Sequence, residues 1–205
     1  PSQQGTVLYP FTGGGANWGG MAFDKDRQIA VINMSRAAHI ITLFQSDQFN
    51  DMRKVFHDSE VSPQQGAKFG MKRELFMSIF GAPCNGTPWG ELIAVDLKSG
   101  DIKWRETLGT AEGLIGLPLK FGTPNFGGPL MTQSGLIFIG AAMDDYLRAF
   151  STVTGEEIWK GDLPAGGQAT PMSYEWQGKQ YVLIAAGGHA RAGTTLGDYI
   201  VAFAL

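Results

Sequence analysis

Apolar and polar positions alternate with a period of two through much of this chain, the pattern of strands with one buried side. Two stretches show it best: "ELIAVDL" (91–97) and "DYLRAFS" (145–151). Each runs into a short turn ending at Gly100 or Gly155, and each turn is followed by a second run carrying Trp104 or Trp159. Laid together, Leu92 falls on Leu147, Ala94 on Ala149, Ser99 on Thr154, Gly100 on Gly155, Trp104 on Trp159 and Leu108 on Leu163. Alternation around an x-[ST]-G-[DE] turn predicts a β-hairpin. There the hydroxyl bonds the turn backbone and the glycine takes the positive-φ position. The tryptophans are large, flat side chains suited to docking against a neighbouring sheet.

More strands precede each hairpin. "NFGGPLMT" (125–132) and "GLIFIGA" (135–141) lead into the second, while "NWGGMAF" (17–23) and "QIAVINM" (28–34) stand further upstream of the first. Asn17-Trp18-Gly19-Gly20 echoes Asn125-Phe126-Gly127-Gly128. The repeating unit is thus four strands and roughly 45–55 residues, a period that predicts a β-propeller. The expected fold is all-β, a partial propeller of four-stranded antiparallel blades with tryptophan-docking hairpins, spanning 1–205 in about three blades. "GTVLYPF" at the start reads as the last strand of an earlier blade. Residues 17–107 form a full blade interrupted by an insertion at about 46–88, and 125–160 form a second. "QATPMSYEW" (168–176), "KQYVLIAAG" (179–187) and "DYIVAFAL" (198–205) supply three strands with no fourth. In closed propellers the missing outer strand commonly comes from the far end of the polypeptide, which avoids a raw edge. An unclosed propeller exposes sheet faces, so self-association or dependence on missing N-terminal blades is expected. The insertion is richer in charge, and its Phe49, Met52 and Phe56 have helical spacing; it reads either as a functional excursion or as surface decoration.

Composition narrows the function classes. The chain has 205 residues, 43% hydrophobic, 17% charged, with 29 glycines and a net charge of −3. That is long enough for a core, rich in the glycine that tight turns need, and without the basic surface of a nucleic-acid binder. No apolar run approaches a membrane span and no signal peptide opens the chain. The opening "PSQQGTVLYP" reads as a processed or truncated beginning. A single cysteine, Cys84, excludes an intrachain disulfide, a C-x-x-C zinc site and c-type haem attachment. With no activating base beside it in sequence, Cys84 reads as a buried structural thiol.

The combination of "GANWGGMAFD", "PCNGTPWGELIAVDLKSGDIKW", "DDYLRAFSTVTGEEIW", "LPAGGQATPMSYEWQGKQYVLIAAGGHA" and "GDYIVAFAL" resembles the C-terminal region of membrane-bound pyrroloquinoline quinone (PQQ) dehydrogenases. The branch is that of the glucose, quinate/shikimate and polyol enzymes. The resemblance covers nearly the whole chain and is weakest over 46–88. It implies an eight-bladed propeller with PQQ across a central channel beside Ca²⁺ or Mg²⁺. An aspartate general base takes the alcohol proton while hydride passes to the quinone, and the metal polarises the carbonyl. By the same resemblance the base and the metal ligands lie upstream of this chain, which supplies one wall of the site and no metal ligand. The resemblance further implies that electrons pass to ubiquinone and that the protein works at the periplasmic face of the bacterial inner membrane.

Carried over residue by residue, Asn17 and Trp18 match an inner-strand Asn-Trp pair facing the cofactor. Their other readings are a turn residue and core packing. Phe126 stands where the alcohol dehydrogenase branch has a tryptophan near PQQ, and lacks the indole N–H; Asn125 is an alternative polar contact beside it. Asp144 matches an aspartate at the mouth of the site that supports the Asn-Trp segment. A turn aspartate bonding its own backbone is the other reading for it and for Asp145. Gly187, Gly188 and His189 match a loop whose backbone lines the cofactor pocket, with His189 in reach of substrate or quinone. His39 and His57 read as structural or surface residues.

Two other functions explain the repeat. A non-enzymatic propeller scaffold for protein–protein interaction carries the same hairpins and binds no PQQ. A sugar-binding propeller needs aromatic platforms on exposed loops, whereas the tryptophans here are mainly committed to blades. A haem-bearing variant is disfavoured by the missing C-x-x-C-H.

Overall fold

A computed structural model describes residues 1–57, 59–112 and 116–204. The chain divides into two units, Pro1–Thr12 with Ala37–Gly86, and Gly13–Arg36 with Thr87–Leu205.

The larger unit holds three antiparallel sheets. The first joins β2 (Met21–Asp24), β3 (Ile29–Ser35), β7 (Gly90–Asp96) and β8 (Ile102–Thr107) in that order. The second joins β9 (Leu130–Met131), β10 (Leu136–Ile139), β11 (Tyr146–Ser151) and β12 (Glu157–Asp162). The third has three strands, β13 (Met172–Trp176), β14 (Lys179–Ala186) and β15 (Tyr199–Ala204). The four-strand unit read from the repeat is therefore present, with its hairpins in register: Ala94 faces Trp104, and Ala149 faces Trp159. Both hairpins even carry an irregularity at the matching step, Ala94/Val95 and Ala149/Phe150.

The turns work as their residues dictate. Asp96 Oδ1 accepts from the Lys98 and Ser99 amides, and Ser151 Oγ accepts from those of Val153 and Thr154. The first of these bonds, from Lys98, is the leading cause that holds the Asp96 carboxyl below the usual carboxylate range. Asp24 is lowered likewise, chiefly by the Arg27 amide and then by its guanidinium.

Alternation sends side chains of the second sheet both ways. Ile137, Ile139 and Phe150 pack with Ile29, Val31, Leu92 and Ala94 of the first. Phe138, Leu147 and Ala149 pack with Val182, Ile184 and Ala186 of the third. Burying a side chain of this size contributes about 1.5–3 kcal/mol. Both repeat tryptophans dock forward. Trp104 Nε1–H donates to the Thr152 carbonyl at 3.0 Å and lies over Gly155, while Trp159 meets Phe203 edge-on at 5.1 Å.

The smaller unit corrects the expected insertion. It is a sheet of its own, ordered β1 (Thr6–Leu8), β4 (His39–Gln45), β6 (Phe69–Leu75) and β5 (Glu60–Ser62), with a short helix α1 (Phe49–Val55). The excursion runs over 37–86, wider than the expected 46–88, because β4 pairs with β6 along its whole length. The "GTVLYPF" strand pairs with β4 as part of this sheet, replacing the assignment to an earlier blade. Phe49, Met52 and Phe56 are the partly buried positions of the helical stretch, as their spacing predicted.

His39 is structural, as read. Buried in this unit, its Nδ1 accepts from the Thr12 amide at 3.2 Å and its ring meets Phe11 edge-on. Burial, with the Arg73 cation adding to it, pushes the imidazole down to about 4. Cys84 departs from expectation: it is exposed, because the segment 77–83 closes on itself through the Met77–Pro83 bridge and leaves the thiol outside. Among the described residues no helix is long and apolar enough to cross a membrane.

Candidate functional site

The two Asn-x-Gly-Gly segments meet within the larger unit. Residues 17–20 form a turn in which the Gly20 amide donates to the Asn17 carbonyl at 3.1 Å and the Trp18 amide donates to Asn17 Oδ1 at 2.7 Å. Asn17 and Trp18 thus stand just before β2 rather than within a strand. The reason is a backbone crossing: a Cβ on Gly19 would lie 2.0 Å from the Gly127 carbonyl carbon, and one on Gly128 would lie 2.2 Å from the Gly19 oxygen. No other residue permits such an approach.

The crossing sets Trp18 and Phe126 side by side, ring centroids 5.7 Å apart and planes at 21°. His189 completes the group, 5.2 Å and 6° from Phe126, and 6.1 Å and 22° from Trp18. Three residues far apart in sequence therefore present nearly parallel rings, a preferred aromatic arrangement. Trp18 is 66% exposed, so its reading as core packing is set aside. Beside it Asn17 Nδ2 is buried and has no hydrogen-bond partner among the described residues. A buried donor without an acceptor costs about 1–3 kcal/mol, so an acceptor brought to Asn17 Nδ2 would relieve that cost.

Asn125 has a different role from the polar contact expected of it. It is 1% exposed. Its Oδ1 accepts from Asn33 Nδ2 at 2.6 Å, its Nδ2 donates to the Met34 and Thr123 carbonyls, and its amide donates to Ser35 Oγ. Its side-chain amide is spent tying the approach to β9 onto β3, while Phe126 next to it stacks with Trp18 and His189.

Gly187, Gly188 and His189 follow β14. Gly188 takes φ +69°, and a Cβ there would lie 2.1 Å from the Thr195 carbonyl oxygen. Its amide donates to the Gly166 carbonyl at 2.9 Å, while the exposed Gly187 accepts from the Gly197 amide. The close backbone approach expected of these glycines is thus made to the protein's own chain.

Asp144 is also placed differently. It is buried, with Arg148 Nη1 and Nη2 donating to Oδ1 and Oδ2 at 2.7 Å each, and the Thr110 amide and hydroxyl donating to Oδ2 at 2.7 and 3.0 Å. These partners tether the segment after β8 and leave the Asn17–Trp18 turn to other contacts. Nor does Asp145 bond its own backbone: its Oδ2 accepts from Thr195 Oγ1 at 2.6 Å. Next to the pair, the Glu112 carboxylate, then burial, then Asp162 and Asp144 push the Tyr146 phenol up.

A planar, oxygen-rich quinone fits the ring cluster: parallel faces accept a flat ring system, and the unpartnered Asn17 Nδ2 offers a donor to a quinone or carboxylate oxygen. For a metal the donor set differs. Among the described residues no three His, Cys, Asp or Glu side chains gather closely enough to hold one. The supporting residues that strand reading did not single out are Asn33, Ser35, Arg148, Gln168 and Thr194. All are buried polar side chains. The signal was a polar residue standing inside an apolar strand, as Asn33 does in "QIAVINM" and Arg148 in "DYLRAFS".

Comparison with known proteins agrees with this geometry. The family described as glucose/ethanol/alcohol dehydrogenase, beta-propeller domain, a PQQ family, matches residues 1–182. The chain is 41% identical to the quinoprotein glucose dehydrogenase of Escherichia coli (strain K12), over 100% of this chain and 27% of that protein. It is 38% identical to the quinate/shikimate dehydrogenase (quinone) of Acinetobacter baylyi, again over 100% of this chain and 27% of the relative. Among solved structures it superimposes on quinohemoprotein alcohol dehydrogenase from Comamonas testosteroni with a TM-score of 0.62 at 19% identity, over 97% of this chain and 27% of that one. The chain spans about a quarter of the length of the curated relatives it matches. With stacked antiparallel sheets, docked tryptophans and a match over most of its length, this chain belongs to the PQQ-dependent dehydrogenase β-propeller family.

Proposed function

We propose that the chain is the C-terminal part of a PQQ-dependent dehydrogenase that oxidises a sugar, a polyol or a cyclic hydroxy acid of the glucose or quinate type. The observation that carries this is the cluster of Trp18, Phe126 and His189 in nearly parallel planes, beside an Asn17 donor that has no partner among the described residues. Relatives named as glucose, quinate and glycerol dehydrogenases support the substrate class.

In this reading the chain forms one wall of the site. Trp18 and Phe126 present apolar faces that exclude water from one side of a flat ligand. Asn17 Nδ2 donates to one of its oxygens, which fixes orientation as well as adding affinity. His189 stands within the cluster to meet quinone or substrate oxygen. When bound, PQQ supplies a two-electron acceptor for the alcohol carbon, with Ca²⁺ or Mg²⁺ as its metal. The general base and the metal ligands belong to the rest of the polypeptide, as do the remaining blades. The electrons go on to ubiquinone, at the periplasmic face of the bacterial inner membrane.

The test is a PQQ titration with Ca²⁺ on the full-length protein, read by quinone absorbance, followed by dye-linked oxidation of glucose, quinate and glycerol. Binding that weakens at least tenfold in Asn17→Ala, together with turnover of one substrate, is the expected result. Absence of binding at saturating cofactor and metal overturns it and favours a propeller that acts as a scaffold.

A further inference from the structure

The way His189 is held carries an inference about which of its nitrogens faces the site. The Ala192 amide donates to the His189 carbonyl at 2.9 Å and, as the longer arm of a shared bond, to His189 Nδ1 at 3.2 Å. A backbone N–H can only donate, so this arm favours a lone pair on Nδ1, and a neutral ring then carries its proton on Nε2. The loop that sets this geometry is locked from below by a buried relay. The His189 amide donates to Thr194 Oγ1 at 2.7 Å, Thr194 Oγ1 donates to Gln168 Oε1 at 3.0 Å, and Gln168 Nε2 donates to the Ala142 carbonyl at 2.8 Å. Thr194 and Gln168 are each 8% exposed. Every bond in the chain has one direction only, because the Ala142 carbonyl cannot donate and the His189 amide cannot accept.

The backbone is shaped to admit this relay. A Cβ on Gly166 would lie 2.3 Å from Gln168 Oε1 and 2.8 Å from Thr194 Oγ1. Any side chain at position 166 would therefore push apart the bond between the two. Gly166 in turn receives the Gly188 amide, while its own amide donates to the Thr195 carbonyl at 2.9 Å, so both flanks of His189 are pinned to one strand-connecting segment.

We propose that Gln168 and Thr194 are positioning residues that hold His189 as a neutral Nε2–H donor with its ring parallel to Phe126, so that this wall of the site presents a hydrogen-bond donor to a ligand oxygen instead of a base. This rests on the functional reading above only for the identity of the ligand. The tautomer and its lock concern the protein alone. A ring free to exchange tautomers could serve as donor or acceptor; the Ala192 amide facing Nδ1 disfavours the second option, and the relay holds the loop that places that amide. The site thus favours an oxygen that lacks its own proton, such as a quinone carbonyl, a carboxylate or an alkoxide, over an N–H or O–H that must donate.

The experiment is ¹⁵N NMR of the imidazole nitrogens in the full-length protein without cofactor, at a pH where the histidines are neutral, with His189→Gln to assign the signal. The expected wild-type spectrum shows His189 with Nδ1 unprotonated and Nε2 protonated. Thr194→Val, which keeps the shape but removes the hydroxyl, shifts the ring toward tautomer averaging. Thr194→Ser retains the wild-type spectrum. In steady-state oxidation Thr194→Val lowers kcat/KM roughly tenfold, the size of one lost hydrogen bond, and Thr194→Ser recovers most of it. A wild-type His189 protonated on Nδ1 overturns the proposal without any variant having to fold. So does a Thr194→Val protein whose His189 signals and kinetics match wild type. Failure of PQQ binding alongside the expected tautomer removes the dehydrogenase reading and leaves the positioning role standing.

Discussion

Replacing Asp144 by alanine should cost this fold about 4 kcal/mol, and the reasoning can be followed atom by atom. Asp144 and Arg148 are each 2% exposed at their side chains. The substitution removes the acceptor of four hydrogen bonds, two from the Arg148 guanidinium and two from Thr110. Among the described residues Arg148 then keeps Glu157, 3.7 Å from its Nε, and the Tyr146 ring, 5.2 Å from its Cζ. Glu157 is moreover shared with Lys120 at 3.6 Å. Leaving one partner of a buried pair uncompensated costs about 3–5 kcal/mol. Removing both charges, in Asp144→Ala with Arg148→Met, takes away the stranded cation and leaves chiefly the two unsatisfied Thr110 donors, a cost of about 1–2 kcal/mol. Urea unfolding followed by far-ultraviolet circular dichroism reads both variants, with the midpoint falling at unchanged slope. A single variant that loses less than about 1 kcal/mol, or a double variant no more stable than the single, refutes the argument.

Three further outcomes follow from other parts of the structure. Trp104→Phe keeps the docking face but strands the Thr152 carbonyl, so it should cost about 1 kcal/mol, against about 3–5 kcal/mol for Trp104→Ala; thermal unfolding separates the two. Gly128→Ala brings a methyl to 2.2 Å from the Gly19 oxygen, which must displace the Asn17–Trp18 turn, and the check is a change in Trp18 fluorescence together with weaker PQQ binding. His39, held down at about 4 from an ordinary 6.5, binds fewer protons folded than unfolded over that interval. Its stabilising contribution is therefore full above about pH 6.5 and is lost as pH falls toward 4, by at most about 3 kcal/mol. His39→Gln should flatten that slope, and an NMR titration placing the His39 transition near 6.5 would falsify the assignment.

The blades were legible because alternation and turn chemistry are local. Ser99 with Gly100 and Thr154 with Gly155 needed only their neighbours to act, and the two hairpins formed with matching registers. The smaller unit was harder, since β1 pairs with β4 across a long stretch of chain and nothing in "GTVLYPF" marks its partner. Within the site, the same limit separated Phe126 from Asn125. Both were candidates, and only the crossing of Gly19 over Gly127 decides which side chain faces the ring cluster and which is buried. The relay beneath His189 was invisible for the same reason: Gln168 and Thr194 gain their meaning from each other.

The repeat itself shows where function begins. Positions that match between the two hairpins, such as Leu92 with Leu147 and Ala94 with Ala149, are buried in the cores between sheets. In the same register Arg148 falls on Ile93 of β7 and Asp144 on Trp89 just before it, and both of those counterparts are buried apolar residues, 6% and 5% exposed. The fold therefore accommodates apolar side chains at these two places. The ion pair in the second sheet is not what the architecture demands, and a buried pair is weak evidence for stability in itself. What it adds is directional: Asp144 fixes the Thr110 amide and hydroxyl, and so the path of the chain after β8. An Arg148→Ile protein that also carries Asp144→Ala should keep most of its stability, yet let the Thr110 amide exchange with solvent faster. Unchanged protection of that amide would show that packing, not the carboxylate, sets the path.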